Sequence, residues 1–136
     1  MRFIDTNVLI YSVSPLPEDA EKCAAAVALL QAPDLALSVQ VLQEFYVQAT
    51  RPTRPQRLSH LDATALIACW LRFPVQENTV ALLQAALTAK ARFQISFWDA
   101  AIIEAARAAG CRHVLSEDLN SGQDYDGLVV INPFAA

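Results

Sequence analysis

Five apolar runs of only three or four residues are spaced along this chain by longer segments with helical periodicity. The runs lie at residues 2–5, 35–37, 73–75, 113–115 and 128–131. They are too short for helices and do not alternate in polarity, so they read as strands buried on both faces. Between them, apolar residues recur at helical spacing, as in Ala20, Cys23, Ala24, Val27 and Leu30. Strands separated by helices pair in parallel and must be covered on both sides. The expected fold is therefore α/β, a three-layer α/β/α sandwich around a central, mainly parallel, Rossmann-like sheet of about five short strands. The 136 residues suffice for one domain with a real core, spanning 1–136.

Local signals set the expected element boundaries. Residues 14–17 (Ser-Pro-Leu-Pro) break the chain, and Glu18 and Asp19 suit the first turn of a helix that stops at Ala32-Pro33-Asp34. Ser38 can cap a helix over 39–50, and Ser59 with Asp62 resembles a capping box for a helix over 60–72. Asn78 can cap a helix over 79–92. Ser96 or Phe97 opens another that runs to Gly110, where glycine suits the stop. Residues 120–127 read as a polar loop.

No apolar run reaches membrane-spanning length, and the first strand begins at residue 2, so neither a membrane segment nor a cleaved leader is expected. Cys23, Cys69 and Cys111 are odd in number and far apart, which suits reduced core residues in a cytoplasmic protein. The net charge of −4 argues against a protein that coats nucleic acid. If four acids surround a metal, however, the remaining ten acids and ten bases cancel, and a nucleic-acid substrate is not excluded.

Four acids occupy places that invite chemistry. Asp5 ends the first strand, the side of an open α/β sheet where ligands bind. Asp99 opens a helix beside the core-facing Ile102 and Ile103, where it is either a functional acid or one that complements the helix dipole. Glu44 lies in a helix apolar around most of its circumference and is either buried for a purpose or part of the solvent edge with Gln40 and Gln43. Asp118 follows the strand 113–115, with Glu117 a competing candidate; adjacent residues at a strand end point in different directions, so only one of the two reaches a site there. Clustered carboxylates without a basic partner repel one another, and a divalent cation compensates them. Oxygen-only ligands select Mg²⁺ or Mn²⁺, ions able to activate water against a phosphodiester.

At these residues the chain resembles the PIN-domain family of Mg²⁺-dependent ribonucleases, and within it the VapC-type toxins of bacterial toxin–antitoxin pairs. The opening Phe3-Ile-Asp-Thr-Asn-Val-Leu-Ile10 is similar to the first family motif, and Glu44 in a helix after a strand and a serine to the second. Ser96-Phe-Trp-Asp-Ala-Ala-Ile-Ile103 resembles the third motif and Val114-Leu-Ser-Glu-Asp-Leu-Asn-Ser-Gly122 the fourth. The resemblance spans essentially the whole chain. It implies a catalytic and metal-binding quartet of Asp5, Glu44, Asp99 and Asp118, supported by Thr6, Asn7 and Ser116, the last where the family often has threonine. It further implies one or two Mg²⁺ ions, an RNA substrate, a small antitoxin partner and a homodimer.

Other residues are less telling. Arg51, Arg54 and Arg57 share a proline-broken loop beside the Glu44 helix and could steer RNA phosphates, form a solvated loop or meet a partner. His60 and His113 lack metal-ligand spacing. Trp70 and Trp98 fall on apolar helices, which suits core or interface. Asp124 and Asp126 suit solvated loop positions. Three glycines, none in a phosphate-binding loop, exclude a P-loop nucleotidase. A phosphatase with Asp5 as nucleophile would want a second acid two residues on, where this chain has Asn7. The same resemblance also admits a non-toxin PIN nuclease of RNA processing and a catalytically silent PIN-like interaction domain.

Overall fold

The computed structural model describes residues 1–135. Its strands are β1 (Arg2–Ile4), β2 (Leu35–Ser38), β3 (Val75–Gln76), β4 (His113–Leu115), β5 (Asp124–Tyr125) and β6 (Leu128–Ile131). Its helices are α1 (Thr6–Ser12), α2 (Ala20–Leu29), α3 (Val39–Ala49), α4 (His60–Trp70), α5 (Val80–Phe93) and α6 (Phe97–Ala108).

The strands form one six-stranded sheet in the order β3-β2-β1-β4-β6-β5, parallel throughout except for the β5–β6 hairpin. From β1 the chain steps to β2 and then β3 in one direction, with α1 packed on α2 and α3, and α3 on α4. From β3 it returns across the sheet to β4 through α5 and α6, which pack on each other. Because such crossovers are right-handed, this reversal sends α5 and α6 to the opposite face. The three layers expected from the alternation of elements are thus formed, and the topological switch point falls between β1 and β4.

Phe3, Ile4, Leu35, Leu37, Val114 and Val130 are buried and fill the middle of the sheet. Phe45 of α3 meets Trp70 of α4 edge to face, with ring centroids 4.6 Å apart. The three cysteines are free. Among the described residues, no helix is long and apolar enough to cross a membrane.

Several expectations need correction. The sheet has six strands, because the segment read as polar loop contains β5: Asp126 and Gly127, at φ 58° and 93°, turn the chain into a hairpin. Helix α1 is not foreshadowed by the pattern of apolar residues; its seven residues carry less than two full apolar repeats. Asn78 does not cap α5. Thr79 does, its side chain accepting from the Leu82 N–H at 3.0 Å, while Asn78 donates to Gln43 at 3.4 Å. Ser38, Ser59 and Ser96 do cap their helices.

Candidate active site

Asp5 stands at the carboxyl end of β1 and Ser116 at that of β4, side by side at the switch point. The backbone fixes both ends: Asp5 N–H donates to the Leu115 carbonyl of β4 at 3.0 Å, and Ser116 N–H to the Ile131 carbonyl of β6 at 3.0 Å. Asp5 is also the N-cap of α1. Its Oδ1 accepts from the Thr6 N–H at 2.7 Å, so strand end and helix start coincide in one residue.

A buried serine ties Asp5 to the loop after β4. Ser116 Oγ donates to Asp5 Oδ2 at 2.8 Å and accepts from the N–H groups of Asp118 and Leu119 at 3.1 and 3.2 Å. Asn7 Nδ2 reaches both Ser116 Oγ and Asp118 Oδ2 at 3.3 Å, and Asn7 Oδ1 accepts from the Glu117 N–H at 3.2 Å. Asn7 thereby fastens the start of α1 to the same loop. Glu44 is held independently: Thr6 Oγ1 donates to its Oε2 at 2.6 Å and Gln40 Nε2 to its Oε1 at 2.9 Å. Asp99 lies in the first turn of α6, its N–H donated to Ser96 Oγ at 3.1 Å.

Asp5, Glu44, Asp99 and Asp118 all line one cavity of about 330 Å³, together with Thr6 and Asn7. Glu117 does not line it. Its Oε1 faces the Lys22 ammonium of α2 at 2.5 Å, which holds its carboxyl below the ordinary range. Two adjacent acids at a strand end have thus parted, Asp118 to the cavity and Glu117 to an ion pair. Asp19 also borders the cavity, accepting from Ser14 Oγ at 2.6 Å. Sequence patterning reads Asp19 only as a helix-dipole acid; no periodic signal brings it here. Of the three loop arginines, Arg54 lines the acid cavity, Arg51 lines the neighbouring groove, and Arg57 lines neither. Arg54 forms no ion pair among the described residues. Trp98, expected in core or interface, is exposed at the cavity's rim.

The electrostatics of Asp5 reveal what the cavity lacks. Its carboxyl is pushed up from 3.8 to about 6, chiefly by burial. Hydrogen bonds from Ser116 and the Thr6 N–H oppose the rise, and the charges of Glu44 and Asp118 add to it. The ionised form is therefore supplied with donors but not with a countercharge.

A divalent cation would supply that charge, and the donor chemistry suits one class of ion. Among the described residues, no three or more His, Cys, Asp or Glu side chains are grouped so as to hold a metal ion as they stand. A Mg²⁺-like ion does not require such a cage, because it keeps several waters, and carboxylates farther off can hold it through those waters. A wall that carries several carboxylates, one of them the buried Asp5, fits that class of ion, and its lack of thiolate and imidazole does not fit zinc.

A family model described as PIN domain matches residues 2–123. Among solved structures, the chain is similar to a toxin–antitoxin complex from Klebsiella pneumoniae, at TM-score 0.70 and 17% identity, covering 98% of each chain. It is similar to a sarcin–ricin-loop-cleaving VapC toxin from Mycobacterium tuberculosis, at TM-score 0.66 and 21% identity, covering 87% of this chain and 92% of that one. The FitAcB structure from Neisseria gonorrhoeae is similar over 100% of both chains, at TM-score 0.61 and 18% identity. No curated protein sequence matches.

Proposed function

The chain belongs to the PIN-domain family, and on that premise we propose that it is a metal-dependent endoribonuclease, the toxin of a toxin–antitoxin pair. The single observation that carries this proposal is the convergence of Asp5, Glu44, Asp99 and Asp118 on one cavity at the switch point. The similar folds described as toxin–antitoxin complexes, and as a toxin that cleaves the sarcin–ricin loop, support the biological setting.

Each residue has a task in that reaction. Asp5, Asp99 and Asp118 would hold Mg²⁺, or Mn²⁺ in its place. Glu44, fixed by Thr6 and Gln40, would complete the donor set or orient the attacking water. When bound, the cation lowers the pKa of water and neutralises charge on the phosphodiester. Ser116 and Asn7 are positioning residues: they lock Asp5 and the Asp118 loop, so little reorganisation is needed as charge develops. Arg54 is placed to meet a phosphate that would otherwise enter a wall of carboxylates. Asn7 also speaks against a phosphatase, because its amide is committed to Ser116 and Asp118.

The implied partner is a small antitoxin that covers the cavity and offers it a basic side chain. Assembly as a homodimer and residence in the cytoplasm complete the proposal; the free cysteines suit the latter. The test is cleavage of structured RNA by purified, partner-free protein in Mg²⁺ and in EDTA, beside Asp5→Asn and Asp99→Asn. Cleavage should occur only for the wild type in Mg²⁺. Cleavage that survives EDTA, or persists in both variants, would overturn the assignment.

A further inference from the structure

Trp98 has no task in the chemistry described so far. It immediately precedes Asp99 in the first turn of α6, yet it is 64% exposed, whereas Trp70 is 4% exposed against Phe45. A single exposed apolar side chain is ordinary in itself, but this one lines the acid cavity, where a substrate would meet it. Trp98 borders three adjoining concavities: the acid cavity, a groove of about 450 Å³, and a groove of about 280 Å³.

The indole is firmly mounted. Phe97 meets it edge to face, with ring centroids 5.0 Å apart and planes at 80°. The Trp98 carbonyl accepts from Gln40 Nε2 at 3.5 Å, and that same amide holds Glu44 at 2.9 Å. The backbone that carries the indole is therefore linked through one glutamine to an acid of the cavity. The groove beyond it offers the amides of Gln40, Gln43 and Gln48 and the guanidinium of Arg51. These groups suit base edges and phosphates, and Glu44, shared with the cavity, is the groove's one carboxylate.

We propose that Trp98 is a stacking platform for one unpaired nucleobase beside the phosphodiester presented to the acid cavity. It would then be a specificity-determining residue that restricts the chain to single-stranded or looped RNA. Every base has a face to stack, but only a base outside a duplex can reach such a platform. The inference rests on the RNA-hydrolase proposal and adds to it a residue that contacts the substrate beside the scissile bond.

The test uses the full chain in Mg²⁺, as wild type, Trp98→Leu and Trp98→Phe, on a short RNA offered single-stranded and as duplex. Loss of one stacked base weakens binding about tenfold. Trp98→Leu should accordingly raise KM about tenfold, with the loss carried in KM rather than kcat. Trp98→Phe should recover most of it, and the duplex should resist cleavage. In parallel, single-stranded RNA added in EDTA should quench the exposed indole's fluorescence, and duplex should not. A leucine variant with wild-type KM, or a phenylalanine variant no better than leucine, overturns the inference. So does a leucine variant that dissociates a homo-oligomer without changing KM, which would place Trp98 in an interface between copies. Cleavage without any Trp98 effect leaves the nuclease standing and removes the platform. Quenching without cleavage does the reverse, and absence of both removes both.

Discussion

Asp5 is held in a conflict that the fold alone does not resolve. It is 7% exposed, receives hydrogen bonds from Ser116 and Thr6, and still has its pKa raised to about 6, chiefly by burial. In the unfolded chain the group titrates near 3.8. Between these values the native state holds a proton that the unfolded state has lost, so without metal the protein loses stability as pH rises from about 4 to about 6. Above that window the penalty is full, about 3 kcal/mol at most. In EDTA near neutral pH, Asp5→Asn should therefore raise the melting temperature, since asparagine keeps the N-cap. The variant's stability should also lose this pH window. A variant less stable than wild type at neutral pH would show that burial does not strain Asp5. The sequence makes Asp5 conspicuous but carries no sign of the strain, which comes chiefly from burial beneath distant segments, with the charges of Glu44 and Asp118 adding to it. In the sequence only the family resemblance prefers Asp118 to Glu117; the physical reason is the Lys22 ammonium, 95 residues away, which takes Glu117.

At the scale of elements, the helices with polar caps are the legible ones. Ser38, Ser59 and Ser96 announce α3, α4 and α6 because a short oxygen side chain satisfies an N–H that the helix leaves open. Helix α1 is hidden because its cap is Asp5, which reads first as the acid at a strand end. The end of α5 is marked only by Lys90 and Arg92 in its last turn, with no glycine to stop it. Gln94 adopts the left-handed conformation there, at φ 54° and ψ 46°, a place where glycine is the usual residue. Gln94→Gly should stabilise the protein by about 0.5–1 kcal/mol, read as a higher urea midpoint with an unchanged slope. A lower midpoint would mean that the glutamine side chain contributes more than its backbone costs. The β5–β6 hairpin shows only in the Asp126-Gly127 pair of its turn, because a two-residue strand is too short to show a period.

At the scale of the whole molecule, the order of short strands and helices is enough to give the layers, because parallel strands need crossovers and crossovers have one hand. The switch point between β1 and β4 follows from that order and accounts for why residues as far apart as Asp5, Asp99 and Asp118 line one cavity. Asp19 and Arg54 are not legible as members of its wall, since each sits in a proline-interrupted segment whose path is set by packing. The molecule carries a net charge of −4, so phosphate contact has to come from placement and not from bulk charge. Arg54→Ala should lower kcat/KM for RNA about tenfold and flatten its dependence on salt by about one phosphate contact. Arg57→Ala, which touches neither concavity, should change kcat/KM less than about twofold. Equal losses in the two variants would point to a diffuse basic loop.

The central claim is that the four converging carboxylates form one site for a hard divalent cation. Calorimetric titration of Mn²⁺ into metal-free protein near neutral pH addresses it directly, with wild type beside Asp5→Asn, Glu44→Gln, Asp99→Asn, Asp118→Asn and Glu117→Gln. Saturable binding that Glu117→Gln retains, that Asp5→Asn and Asp99→Asn each abolish, and that Glu44→Gln and Asp118→Asn each weaken is the predicted result. Binding unaffected by Asp5→Asn and Asp99→Asn, or no saturable binding by wild type, would contradict it.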